Sequence, residues 1–355
     1  MTVSAPRADL EDALIRAVRS PSSHNSQAWR LELRSDGDFP LLCAYVDEKR
    51  SLRSLPSHRT EMLLSLGALW HAIDLEMQNR GWRLERVASP KSLSAPLAAH
   101  IIRSEADLRP TRETKFLVSR RTARGPYLRV PLSDEERRSV VAAVTSSSHR
   151  SNEANSVRAV VLTDPQVITD VSKLAAVGAP RDFLHPTAWR ETWSFLRSEA
   201  ELVSRPDGFA WRDIFGPEHG IASFFAQFLC SPRAMPITGR LGLARILAGS
   251  LARLIRNSPG LLLLTAGADA LNDDETCADA GAAMHSVWLG AEALGLGLHP
   301  VSVLIQYRDL RAELARRTGV QDPFFVARIG HPENPTPGRP TPRRPTQEIL
   351  ECETS

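Results

Sequence analysis

The sequence predicts an α+β protein made of two related half-domains, each with a small, mainly antiparallel sheet flanked by helices. Three observations carry that prediction. The stretch Ala280–Val301, AGAAMHSVWLGAEALGLGLHPV, has a blurred earlier copy at Leu66–Glu85, LGALWHAIDLEMQNRGWRLE. Aligned, Gly67 meets Gly281, His71 meets His285, Leu75 meets Leu289 and Gly81 meets Gly295, each pair 214 positions apart. A solenoid repeats every 20–50 residues or so, whereas this offset suits two fused halves. A second echo keeps the same order: Ala142–Leu162, AAVTSSSHRSNEANSVRAVVL, repeats the helix end, serine run and strand of Ile15–Leu33, IRAVRSPSSHNSQAWRLEL. Finally, 355 residues with 42% apolar and 24% charged side chains are enough for roughly two cores.

The elements follow in order. Asp9–Val18 is a short helix with Leu10, Ala13, Leu14 and Ala17 on one face, stopped by Ser20-Pro21. Trp29–Leu33 alternates apolar with charged residues, the two-residue period of a half-buried strand, and Leu41–Val46 is a second strand. Thr60 opens the first copy of the repeated helix, and Trp82–Val87 and His100–Ser104 are further strands. The second half opens at Lys115–Arg124. Ser133 and Glu136 have capping-box spacing for a helix to about Val144, and Ser156–Leu162 is the strand matching Trp29–Leu33. Gly178–Pro259 has no counterpart earlier; with Trp189, Trp193, Trp211, Phe209, Phe224, Phe225 and Phe228 it is a candidate lid or subunit contact. Gly260–Thr265 is a continuous apolar run, a strand buried on both faces. Asn272 with Glu275 caps the second copy of the helix, Arg308–Arg317 is amphipathic, and Phe324–Ile329 is the last strand. The organisation expected is 1–112 for the first half, 113–335 for the second with the insertion 178–259, and 336–355 as an extended arm rich in Pro, Thr and Arg.

Composition excludes several classes. A net charge of +3 with arginines spread along the chain gives no nucleic-acid footprint. Cys43, Cys230, Cys277 and Cys352 lie far apart, which argues against a disulfide framework or zinc site and suggests a cytoplasmic chain. The first residues lack the apolar core of a signal peptide, and no apolar run is long enough to span a bilayer, so no membrane partner is expected. Arg240, Arg245, Arg253 and Arg256 around Leu241, Ile246, Leu247 and Leu254 could form a membrane-surface helix, but a solvated lid helix is the favoured reading. Nucleophile-elbow, P-loop, zincin and dinucleotide fingerprints are missing. Ser23 and His24 are chain neighbours that point to opposite sides, which disfavours a nucleophile pair. His24, His71, His285 and His299 lack ligand spacing and read as hydrogen-bonded core or interface groups.

Two polar clusters remain. Arg120, Arg121 and Arg124 with Thr122 place three guanidinium groups and a hydroxyl within five positions; they suit a phosphate monoester or, equally by charge alone, a solvated basic face. Pro21–Gln27 is a dense set of short donors and acceptors before a strand that starts with Trp, suited to the polar edge of a flat heteroaromatic.

Together these residues resemble the flavin-dependent nitroreductase superfamily. The run Pro21-Ser22-Ser23-His24-Asn25-Ser26-Gln27-Ala28-Trp29 is similar to the family's interface loop, with Ala28 in place of the usual Pro. Arg120–Arg124 resembles its phosphate-binding start, Gly295–Ser302 the stretch passing flavin N5, and Arg328–Pro332 with Pro342–Pro345 its closing strand and arm. The order, interface loop before arginine cluster, resembles the Acg-like branch, in which one chain imitates the usual homodimer as an intramolecular pseudo-dimer. The resemblance implies a nitroreductase-like fold and one FMN per chain, held by Ser22, Ser23, Asn25, Gln27, Arg120, Arg121, Thr122, Arg124, Pro300, Val301, Ser302, Arg343 and Arg344. A mirror site would need arginines beyond the scattered Arg7, Arg16 and Arg19 and an intact second loop near Ser146–Asn155. The implied activity is an FMN-dependent oxidoreductase with no protein acid or base, moving hydride between flavin N5 and a small nitroaromatic, quinone or metabolite. A backbone N–H near Val301–Val303 would donate to N5. NAD(P)H or another reductant would supply electrons. A flavin-sequestering protein without turnover and an oxygen-dependent desaturase are the alternatives, and both monomer and homodimer are compatible.

Overall fold

The computed structural model describes residues 4–104, 112–144, 157–215, 221–267, 270–334 and 341–353. The second serine run, Ser146–Asn155, lies outside these residues.

The first half runs α1 (Ser4–Ala17), β1 (Trp29–Asp36), β2 (Phe39–Val46), α2 (His58–Gln78), β3 (Trp82–Ala88) and β4 (Leu97–Arg103). Strand β1 buries Trp29, Leu31 and Leu33 and turns Arg30 and Glu32 outward, the alternation its sequence contains. β1 returns into β2 through Gly37, whose φ of 55° is a left-handed conformation that favours glycine. Helix α2 buries residues all round rather than on one face, so it is a core element. Its end is set by Gly81, with φ of 78°.

The second half repeats this order: α3 (Asp134–Ala142), β5 (Arg158–Leu162), then after an insertion β8 (Gly260–Thr265), α11 (Asp274–Glu292), β9 (Gly297–Pro300), α12 (Arg308–Thr318) and β10 (Pro323–Gly330). The strands are laid out alike. The first sheet contains β1-β2-β4-β3 and the second β5-β8-β10-β9, and every one of these neighbours is antiparallel. The halves differ where the first has a tight turn. Residues 163–259 are inserted between β5 and β8, starting earlier than the composition suggested because α4 (Pro165–Leu184) runs straight across Gly178. The insertion continues with α5 (Pro186–Ser194), a two-stranded ribbon of β6 (Leu196–Arg197) and β7 (Phe209–Ala210), and the helices α6 (Glu201–Ser204), α7 (Arg212–Phe215), α8 (Ile221–Cys230), α9 (Met235–Thr238) and α10 (Ala244–Arg256). Trp189, Phe209, Trp211, Cys230 and Met235 form its own small core.

The halves meet at the repeated helices. α2 and α11 cross where both carry glycine: a Cβ on Gly67 would stand 1.8 Å from the Ala278 carbonyl oxygen, and one on Gly281 2.2 Å from that of Leu64. Such backbone contact leaves no room for any side chain. One turn on, His71 and His285 meet with their Nδ1 atoms 3.3 Å apart in the buried joint. The residues that repeat in sequence thus pack on one another around an approximate twofold.

Several local expectations shift. The cap of α11 is Asp273, whose carboxylate accepts from Thr276 N at 2.8 Å, because Asn272 is used in a preceding 3-10 turn. The box at Ser133 and Glu136 is present as read. The arm does more than lie on the surface. Its end forms β11 (Leu350–Cys352), parallel to β1 with Leu31 opposite Leu350, so the last residues complete the sheet of the first half. Three residues with one apolar anchor carry no readable strand period.

Candidate functional site

The polar loop between α1 and β1 is held in an unusual conformation. His24, Asn25 and Gln27 all have positive φ, between 49° and 53°, where non-glycine residues are uncommon and strained. Surrounding bonds impose it. Ser22 Oγ accepts from Gln27 N at 3.2 Å, the Ser23 hydroxyl donates to Glu61, and Ser23 N donates to Ser65 Oγ, both partners being on α2. Asn25 Nδ2 donates to the Gly208 carbonyl at 2.8 Å, and Gly208 N returns a bond to Asn25 O. The insertion therefore sits directly on the loop, and the fully buried Gln27 fastens both to the arm: Nε2 donates to Pro206 O, and Oε1 accepts from Arg344 N, each at 2.8 Å.

The arginine cluster is brought to this loop by the second sheet. Thr122 bridges Leu298 of β9, and Ala123 N donates to Leu298 O at 2.9 Å. Gly297 permits that approach, since a Cβ there would lie 2.5 Å from the Cβ of Ala123. The buried Arg328 on β10 then binds the carbonyls of Arg124 and Gly125, fixing where the run turns. The outcome is one cavity, lined by loop residues Ser22, Ser23, His24 and Asn25, by Glu61 and Ser65 of α2, by Trp288 and Met284 of α11, and by five arginines: Arg19, Arg120, Arg121, Arg124 and Arg343.

Arginines dominate the electrostatics. Burial pushes Arg120 down to about 10; Glu292 opposes the shift, while the charges of Arg19 and Arg121 add to it. Arg19, Arg124 and Arg343 are lowered chiefly by burial as well. Arg120 uses Nη2 on the Arg19 carbonyl and lies over the Trp288 ring at 4.7 Å, but its buried Nε and Nη1 have no partner. Leaving charged donors dry and unpaired costs free energy unless an anion completes them. His24 lies against the rings of Phe195 and Phe209, and burial lowers it to about 4, so it is neutral at ordinary pH with Nδ1 unpaired. The cavity thus offers an anion cradle at one side, a neutral polar loop at another, and aromatic cover from Phe209, Trp288, Phe324 and Phe325.

Of the residues singled out from sequence, Ser22, Ser23, Asn25, Arg120, Arg121, Thr122, Arg124, Pro300, Ser302 and Arg343 line this cavity. Three do not. Gln27 and Arg344 stand behind the loop and hold one another. Val301 is buried, and its N–H donates to Val326 O at 2.8 Å, so it has no donor for a ligand. The next two amides, of Ser302 and Val303, open a 3-10 turn, where N–H groups lack an acceptor within the helix. Arg343 lines the cavity but gives its donors to the carbonyls of Val18, Arg19, Thr341 and Pro342, so it braces the wall. Sequence reasoning missed Arg19, Glu61, Ser65, Trp288 and Phe209. Arg19 left a trace next to the Ser20-Pro21 stop and Phe209 as part of the aromatic insertion read as a candidate lid; Glu61, Ser65 and Trp288 reach the cavity from helix faces. Among the described residues no group of His, Cys, Asp and Glu could hold a metal ion.

Residues 117–331 match the nitroreductase family. Over 344 residues, 93% of this chain and 91% of the relative, the sequence is 30% identical to the probable NAD(P)H nitroreductase PigM of Serratia sp.. Among solved structures, it overlays on the FMN-dependent nitroreductase NfnB of Mycobacterium smegmatis in complex with NADPH, at a TM-score of 0.42 and 15% identity, covering 68% of this chain and 99% of that one. It overlays on the NADPH:FMN oxidoreductase of Vibrio harveyi at a TM-score of 0.40 and 15% identity, covering 68% and 76%.

Proposed function

We propose a function from one premise: the chain belongs to the nitroreductase family. It is an oxidoreductase, and we infer from its loop and arginine motifs that its cofactor is FMN. We infer that one FMN per chain occupies the cavity between the two halves, that NAD(P)H is the electron donor, and that the halves imitate the two subunits of a family dimer, as in the Acg-like branch. Hydride transfer at N5, toward a small nitroaromatic, quinone or metabolite substrate, is the chemistry FMN supplies when bound.

The chain's own residues hold and shield. Arg120, Arg121 and Arg124 with Thr122 are the phosphate cradle, and a doubly charged anion there completes the open nitrogens of Arg120. Ser22, Ser23 and Asn25 present hydroxyls and an amide to the polar edge of a flat ring system. Of the Val301–Val303 amides read as donors to N5, those of Ser302 and Val303 would serve, because that of Val301 is taken by Val326 O. Arg343, Arg344 and Gln27 support the loop rather than touching the ligand. The insertion, through Gly208 and Phe209, excludes water from the loop side.

The observation that carries this reading is the pair of unpaired, buried guanidinium nitrogens of Arg120 beside the strained loop. The test is reconstitution with FMN, counting flavin per chain by absorbance, then photoreduction and timed reoxidation. One flavin, reduced by NAD(P)H and reoxidised by nitroaromatics or quinones, is the expected result. Two flavins, or none, would overturn the composite site; a single flavin that never turns over would mean a flavin store instead. Rapid reoxidation by oxygen coupled to loss of two hydrogens from a metabolite would identify the desaturase alternative.

A further inference from the structure

We propose that the outer face of the insertion is a peripheral docking surface for an anionic lipid bilayer. From the sequence alone, the helix around Ile246 reads as a solvated lid helix or, less favoured, a membrane-surface helix; the joint exposure of apolar side chains and arginines there supports the second.

Between residues 221 and 267 the chain has no Asp, Glu or Lys and five arginines, Arg233, Arg240, Arg245, Arg253 and Arg256. All five are exposed, and none forms an ion pair among the described residues. The segment carries +5, so the rest of the chain carries a net −2 against the whole-chain +3. Large apolar side chains stand out among these charges: Leu241 is 84% exposed, Ile246 67%, Ile237 65% and Phe228 62%. Their exposure is built into the backbone. A π-helical turn at Gly239–Leu243, with Gly242 at a φ of 122°, joins α9 to α10, and Leu241 projects from this turn. Thr238 Oγ1 donates to the Leu229 carbonyl at 2.7 Å, which ties the end of α8, and with it Phe228, to the same surface. α10 turns Ala248 and Ile255 inward onto the core shared with α4, leaving Arg245 and Arg253 outside.

Charge decides the occupant. A symmetric contact between two copies of this face would set one all-positive, acid-free surface against another. An anionic bilayer complements it: apolar side chains enter the headgroup boundary while arginines reach lipid phosphates. Among the described residues no helix is long and apolar enough to cross a membrane, so attachment would be peripheral.

The test uses the FMN-loaded full chain and phosphatidylcholine vesicles with or without phosphatidylglycerol, read by co-sedimentation. The readout is independent of the flavin reading, since Leu241→Glu with Ile246→Glu changes only exposed residues and should leave FMN content unchanged. The expected result is pelleting with phosphatidylglycerol vesicles and release at high salt. Binding should be lost in that variant and weakened at least about tenfold in Arg240→Glu with Arg245→Glu. No pelleting, or equal pelleting on pure phosphatidylcholine, would overturn the proposal. So would self-association or capture of an acidic protein through this face without vesicle binding.

Discussion

Arg120→Met separates a ligand-directed arginine from a structural one. Burial lowers this guanidinium from 12.5 to about 10, so its charged form disfavours the ligand-free fold by about 3 kcal/mol at 1.36 kcal/mol per pH unit. The substitution also removes the bond to the Arg19 carbonyl and the stacking on Trp288, worth roughly 1 kcal/mol each. The apoprotein should therefore gain about 1 kcal/mol in urea unfolding. FMN should lose two charge-assisted hydrogen bonds, about 1.5–3 kcal/mol apiece, which is at least a hundredfold in Kd by flavin fluorescence quenching. The two effects have opposite signs, and that is the diagnostic. An apoprotein weakened by more than about 2 kcal/mol with Kd unchanged would refute the reasoning and make Arg120 a strut of the joint.

Gly67→Ala should separate α2 from α11, since the new methyl would collide with the Ala278 carbonyl. A loss above about 3 kcal/mol in unfolding, with Gly37→Ala much milder, checks this. The buried histidines should make stability fall in acid. His24 is lowered to about 4 and His285 and His299 well below the usual value, all chiefly by burial, so the unfolded chain binds three more protons below pH 6.5. Each contributes stability that is present above 6.5 and lost as pH falls, at most about 1.4 kcal/mol per pH unit apiece. His58, raised by its contact with Glu191, and Asp182, raised to about 7 chiefly by burial, both oppose this with the reverse sign, and urea midpoints from pH 7 to 5 measure the balance. Gln27→Leu leaves the Pro206 carbonyl and Arg344 N–H unpaired in the interior. It should cost about 2–4 kcal/mol and weaken FMN retention, read by gel filtration of the loaded protein.

What the sequence determined by itself was the local and the repeated. Alternating strands at Trp29, the capping box at Ser133, the glycine stops at Gly81 and Gly295, and the matched pairs Gly67/Gly281 and His71/His285 are near-neighbour or self-similarity signals, and the fold keeps them. Ten of the thirteen residues read as site residues do line the cavity, because loop and arginine run are each contiguous. Tertiary structure alone decided which of them face a ligand. Arg343 and Arg344 are equally charged in sequence, but backbone carbonyls within reach turned both into braces; Val301 lost its donor to a strand partner that is distant in the chain. It also brought in Arg19, Glu61 and Trp288, drew the arm into the first sheet, and placed Leu241 outside. Local sequence sets what a segment can form, whereas orientation toward a cavity or solvent depends on long-range packing that no short window contains.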